Sequence, residues 1–207
     1  MNIADYLNEI EHASTSLLQT IWDEHTRIGQ IEDQITNLAP VVEDNYRRAQ
    51  SVQQFAEDSD DVMMGVGMYW ENYFGADKEL YHKDQDRQQL VNQIATHSFS
   101  VASLAGSLLQ HAKQGISLAH GGLGNCPNGR AIGSQHLKTV IWQSRNQTIH
   151  WEDGNFHPPT TDCFNALAAD IDPKYNQFTN RNMAFDVIEL LGWKSFKQFS
   201  DDLTSLA

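Results

Sequence analysis

Residues 3–38 read IADYLNEIEHASTSLLQTIWDEHTRIGQIEDQITNL, and this stretch decides the fold class. Alternate steps of four and three from Ile3 fall on Leu7, Ile10, Ser14, Leu17, Ile21, Glu24, Ile28, Ile31, Ile35 and Leu38, so nine of eleven seam positions are apolar. A seam repeating every 3.5 residues over about five heptads is the pattern of a long packed helix. The expectation is a helix from Ile3 to Leu38, about 50 Å long at the usual rise per residue. Pro40 then ends it or opens the next helix, because proline lacks the N–H that an interior position needs.

Outward from that seam the chain keeps reading as helix. Val42, Tyr46, Ala49 and Ala56 give a second helix over about 41–57, making the first 76 residues a helical hairpin. The acidic run Glu57-Asp58-Ser59-Asp60-Asp61 marks a turn and a helix start, where carboxylates suit the exposed N–H groups. Residues 62–74 carry Met63, Met64, Met68, Tyr69, Trp70, Tyr73 and Phe74, which read as helix core or as an interface. Leu90, Ile94, Val101, Leu104, Leu108, Ala112 and Ile116 place a long helix over 78–118, and its weakly charged second half suits the centre of a bundle. The loop GGLGNCPNG, residues 121–129, precedes a helix from Ser134 to Trp151. Its Gly124-x4-Gly129-Arg130 lacks the Lys-Ser/Thr ending and the preceding strand of a phosphate loop and is set aside. A short helix over Thr161–Asp170 and one or two helices over Asn182–Leu206, interrupted near Gly192, complete the chain. No alternating strand pattern is evident. The class is all-α: one domain of 1–207, with a 1–76 hairpin extension and a 78–207 bundle.

Composition narrows the function. There are 207 residues, 40% hydrophobic and 20% charged, enough to build a core without covalent staples. Cys126 and Cys163 are too few for a disulfide framework or a zinc ribbon and read as structural thiols or bystanders. No apolar run is long enough for a membrane span, and the polar, acidic start is no secretory signal, so a cytoplasmic protein is expected.

The strongest local motif is Arg145-Asn146-x-x-x-His150 on the Ser134–Trp151 helix. With seven Arg, 14 Asn and nine His in the chain, chance supplies about 0.02 such matches. Histidine moves protons near neutral pH, and arginine offers a permanent forked cation to phosphate. Asn146 and His150, four apart, share a helix face; Arg145 and His150, five apart, stand about 140° round it. A long arginine side chain or a second subunit has to close that gap.

The motif resembles the R-N-x-x-x-H signature of the HEPN superfamily, all-helical proteins of defence, toxin–antitoxin and RNA-processing systems. The resemblance covers six residues on a late helix, and Glu152 stands where one subgroup carries Tyr. It implies a HEPN-like bundle over 78–207, a homodimer with the motifs facing across the interface, and an endoribonuclease needing no metal or cofactor. Such a toxin or antiviral effector would be restrained by a neutralising protein partner. His150 would be the general acid/base, Arg145 the phosphate clamp, and Asn146 would orient the imidazole or touch the phosphate. His157, Lys138 and Arg130 are accessory candidates. Against this stands a purely structural role, with Arg145 paired to Glu152 and His150 capping the helix near Gly154; the chain would then be a non-catalytic binding or scaffold protein. A third possibility rests on Glu9-x-x-His12 and Glu79-x-x-His82, whose spacing suits a di-metal carboxylate bundle. The clusters Asp23/Glu24/His25 and His82/Asp84/Asp86 read as solvated faces.

The formal net charge of −13, from 14 Lys+Arg against 27 Asp+Glu, argues against nucleic acid in bulk. The acids are unevenly placed, however. From Arg87 to Trp151 there is no Asp or Glu, while Arg87, Lys113, Arg130, Lys138 and Arg145 are present. Any phosphate-binding surface is therefore confined to the segment that holds the motif.

Overall fold

A computed structural model describes the backbone of residues 1–207 and every side chain except those of residues 24, 27, 28, 32, 90, 91 and 93–100. Expectations for Glu24, Ile28, Leu90 and Ile94 lie outside these. The fold is all-α: α1 (Ile3–Gln54), α2 (Ser59–Phe74), α3 (Ala76–His120), α4 (Leu137–His150), α5 (Pro158–Asp170), α6 (Ala184–Leu191) and α7 (Phe196–Thr204), with a two-stranded hairpin of β1 (Ala131–Ile132) and β2 (Gln135–His136).

Three expectations need correction. The helix does not stop at Pro40; α1 continues to Gln54, so the expected two-helix hairpin over 3–57 is one helix. A proline costs a helix one backbone bond, and the apolar positions beyond it, Val42 and Ala49, are buried, so packing carries the helix through. Second, residues 131–136 form an antiparallel hairpin, with Ala131 opposite His136 and Ile132 opposite Gln135. Its two-residue turn puts Gly133 at φ +59, the conformation that the first turn position requires. Strands of two residues are too short to alternate visibly, and they move the start of α4 from Ser134 to Leu137. Third, of the two roles read for the Met and aromatic residues of α2, helix core fails and interface stays open: Met63, Met64, Tyr69, Trp70, Tyr73 and Phe74 are exposed.

The chain forms two compact units, one of residues 1–23 with 97–207 and one of residues 24–96. They part within α1 and α3, while the turn at Gly75 lies beside the division expected at 76–78.

In the first unit, Ile3, Leu7, Leu18 and Ile21 of α1 join Ala105, Leu108, Leu109, Ala112 and Ile116 of α3, Leu137, Val140 and Ile141 of α4, and Phe164 and Leu167 of α5 in one core. The Tyr6 hydroxyl donates to the carbonyl of His111 at 2.8 Å, with its ring against Gly115. At the far end of the chain, Trp193 is fully buried and edge-on to Phe199. Its indole N–H donates to Asp202 Oδ2 at 2.8 Å. Gly192, at φ +71, ends α6 as the expected interruption.

In the second unit α2 begins at the Asp58 cap, whose carboxylate accepts from the N–H groups of Asp60 and Asp61. Its inner face carries the two buried residues Gly65 and Asn72. A Cβ at Gly65 would meet Gln53 Cγ at 2.5 Å and the Ala49 carbonyl at 3.1 Å, so glycine lets α2 lie against α1. Asn72 reaches the Val42 carbonyl at 3.5 Å, and the Tyr46 hydroxyl donates to Asp77.

Candidate functional site

The motif helix α4 runs through the first unit with Leu137, Val140, Ile141, Ser144 and Gln147 buried. Two side chains fix its position. Gln147 donates to the carbonyls of Phe178 and Arg181 at 2.7 and 2.8 Å and accepts from the Met183 N–H at 3.0 Å. Gln143 accepts from the Thr160 hydroxyl at 2.9 Å and from Asn146 Nδ2 at 3.3 Å. Polar groups this deep are stable only when satisfied, and these are.

The 140° between Arg145 and His150 is realised as two separate clefts. Arg145 lines one of about 490 Å³ together with Ser103, Gly106, Gln110 and His111 of α3 and Thr148 of α4. Its Nε donates to Gln110 Oε1 at 2.5 Å. A Cβ at Gly106 would come within 2.5 Å of Thr148 Cγ2, so α3 and α4 meet closely at the cleft floor. Lys113, which the sequence reading had not placed here, lies with its Nζ 4.4 Å from the Trp142 ring centre. Burial lowers the pKa of Arg145, and burial together with the Arg145 charge lowers that of Lys113. Among the described residues neither forms an ion pair with a carboxylate, so the expected alternative partner Glu152 does not engage Arg145. Two neighbouring cations without a counter-ion make a site that an anion would relieve.

His150 lies on the other side of α4. It lines a cleft of about 160 Å³ with Asn146, Asn155, Phe156, His157 and Thr160. Its side chain is 52% exposed, with Nδ1 3.6 Å from Asp153 Oδ2. Asn146, His150 and His157 are thus brought together, and Arg145 is kept apart from them within one chain. Ile149, 51% exposed, lines the Arg145 cleft.

The other accessory residues are committed elsewhere. Arg130 makes a two-pronged ion pair with Asp202 at 2.8 and 2.9 Å and also donates to the Leu191 carbonyl at 2.7 Å. The Asp202 hydrogen bond raises its pKa. Lys138 donates to the Cys126 carbonyl at 2.7 Å and fastens the glycine-rich loop. Burial pushes the Cys163 thiol up to about 12 and also raises that of Cys126, as suits structural cysteines. Glu9, His12, Glu79 and His82 are exposed, the two pairs lie in different units, and no metal-holding group of three stands together among the described residues.

Comparison with protein families, with curated proteins and with solved structures finds no match to this chain. Its class is therefore defined by its own features: an all-α protein with a cationic cleft and a histidine cleft on opposite sides of one helix. No described helix is long and apolar enough to cross a membrane.

Proposed function

We propose that the protein is a metal-independent endoribonuclease of the HEPN type, acting at a site completed by a second copy of the chain. The observation that carries this reading is Arg145, a cation in an open cleft without a carboxylate partner among the described residues, on the same helix as the solvent-open His150, which shares its own cleft with His157 at the start of α5. In the reaction the RNA 2′-hydroxyl oxygen attacks the adjacent phosphorus and the bond to the 5′ oxygen breaks. The products are a 2′,3′-cyclic phosphate and a 5′-hydroxyl. One imidazole of the His150/His157 pair takes the 2′ proton and the other, protonated, gives one to the leaving oxygen. Arg145 of the second copy faces the phosphate and holds its growing charge, with Lys113 adding to the field. Asn146 shares the His150 cleft and orients its imidazole.

Purified protein is expected to cleave single-stranded RNA in EDTA, and Arg145→Ala and His150→Ala are each expected to lower the rate by about a hundredfold or more. Equal activity in all three preparations would assign the cleavage to a contaminant. RNA affinity is expected to be weak and salt-sensitive, with Arg145→Ala reducing the slope of log affinity against log salt by about one.

A second reading is a non-catalytic helical binding protein. It is favoured by the separation of Arg145 from His150 within one chain. RNA binding at the Arg145 cleft without cleavage would select it.

A further inference from the structure

The 24–96 unit carries a surface that the proposed site does not use. Met63, Trp70 and Phe74 on α2 follow one another at seven and four residues, so they line one helical stripe, with Tyr73 beside it and Tyr81 of α3 beyond its end. The helix breaks at Gly75, whose φ of −100° and ψ of −106° are not helical, yet Tyr73 and Phe74 before the break and Tyr81 after it line one cleft. The rings support one another: Trp70 is edge-on to Tyr73 and stacked on Phe74 at 5.7 Å. Yet Trp70 remains 48% and Phe74 66% exposed. A cleft of about 430 Å³ opens where Tyr73, Phe74 and Tyr81 converge.

At 150–250 Å² for a whole aromatic side chain, these half-exposed rings and the methionines present roughly 500 Å² of apolar surface. That is at the upper end of what a monomer leaves in water, and it approaches one side of a small specific interface.

The charge around the stripe says what covers it. The 24–96 segment has six Lys and Arg against 14 Asp and Glu, a net −8. Four of its six cations pair within their own helices, Arg47 with Glu43, Arg48 with Asp44, Lys83 with Glu79 and Arg87 with Asp84, while Lys78 lines the cleft next to Asp77. Among the described residues Glu57, Asp58, Asp60, Asp61 and Glu71, which flank the stripe, have no cationic partner. A second copy would bring a like-charged rim against this one, which disfavours self-pairing. An apolar stripe of methionine and aromatic side chains inside a rim of unpaired carboxylates suits a helix with one apolar and one basic face.

We propose that the α2 stripe, with Tyr81 beyond its end, is the docking surface for a basic amphipathic helical segment of a protein partner. The apolar face of that helix seats on Trp70 and Phe74, and its lysines or arginines meet Glu57, Asp58, Asp60 and Glu71. The proposal is independent of RNA cleavage.

The test uses the full chain and a fluorescent Leu/Lys amphipathic peptide of about four helical turns, followed by anisotropy at physiological salt. Its Leu/Glu counterpart is the control. The Leu/Lys peptide is expected to bind and the Leu/Glu peptide not. The double variant Trp70→Ser, Phe74→Ser is expected to weaken binding by more than about tenfold. Met63→Ser, at one end of the stripe, and Tyr81→Ser, beyond the other, are each expected to weaken it by less, with helix content unchanged in circular dichroism. Binding that survives the double variant would reduce the effect to bulk charge and overturn the proposal. Equal binding of both peptides would remove the role of the carboxylates and overturn it as well. A concentration-dependent dimer that the double variant dissociates would assign the stripe to a second copy instead.

Discussion

The two units use aromatic side chains in opposite ways. In the first, Phe164, Tyr175, Trp193 and Phe199 are sealed inside. In the second, Tyr69, Trp70, Tyr73, Phe74 and Tyr81 cover an outer face. The charges at their two open surfaces differ as well: Arg145 and Lys113 at the α3–α4 cleft of the first, the carboxylates beside α2 in the second. Composition alone treats these segments alike. What separates them is the inner face of each helix. α3 and α4 bury Leu108, Ala112, Leu137 and Ile141, whereas α2 turns Gly65 and Asn72 inward and leaves its large side chains to water.

Paired substitutions can break this contrast. Trp193→Ala empties a fully buried site and is expected to cost about 3–5 kcal/mol in urea unfolding, while Trp70→Ala is expected to stay within about 0.5 kcal/mol of wild type. Equal losses would make the α2 stripe structural. Gln147→Leu removes three buried hydrogen bonds and strands the Phe178 and Arg181 carbonyls and the Met183 N–H. Its expected cost is about 2–4 kcal/mol, with α4 still held to α5 by the Thr160–Gln143 hydrogen bond.

A smaller effect follows from His111, half-buried in the first unit with Nδ1 3.1 Å from the Ser14 hydroxyl. Burial lowers its pKa below the ordinary 6.5. The folded protein therefore keeps this imidazole neutral where the unfolded chain takes up a proton. Its contribution is complete above the unfolded value and is lost as the pH falls through 6.5 toward the lower folded value. Between about pH 7.5 and about pH 5.5 the urea midpoint is expected to drop more for the native protein than for His111→Gln. Equal drops would remove the histidine from the account. Smaller again, the native fold is expected to shield Cys163 from iodoacetamide at mildly alkaline pH, with alkylation appearing only on unfolding. A thiol pushed up to about 12 and 1% exposed is neither ionised nor reached.

Much of this was legible in the sequence. The apolar seam from Ile3 gave the first helix, Leu108–Ala112–Ile116 the central one, and the acidic run 57–61 the start of α2. Pro40 misled because local propensity was weighed without the burial of Val42 and Ala49 beyond it. The β1–β2 hairpin was too short for periodicity to register, although Gly133-Ser134 is a hairpin turn signal. Gln147 was missed because glutamine is ordinarily exposed; its place on the Val140–Ser144 stripe was the available clue. Arg145, Asn146 and His150 were found by motif, but the spacing could say only that Arg145 and His150 diverge. It could not say that α3 would wall one cleft and the Asn155–Thr160 segment the other. Lys113, 32 positions earlier, stood out only as one of five cations in the acid-free stretch from Arg87 to Trp151, which could not place it beside Arg145.

The central claim is that Arg145 of one copy and His150 of another serve one phosphate, and mixing two inactive variants tests it most directly. Arg145→Ala and His150→Ala proteins, combined and allowed to exchange subunits, are expected to recover roughly a quarter of wild-type RNA cleavage in EDTA. Half the dimers are then mixed, and each of those holds one intact site of two. A mixture as inactive as either variant alone, with exchange demonstrated, would contradict the composite site.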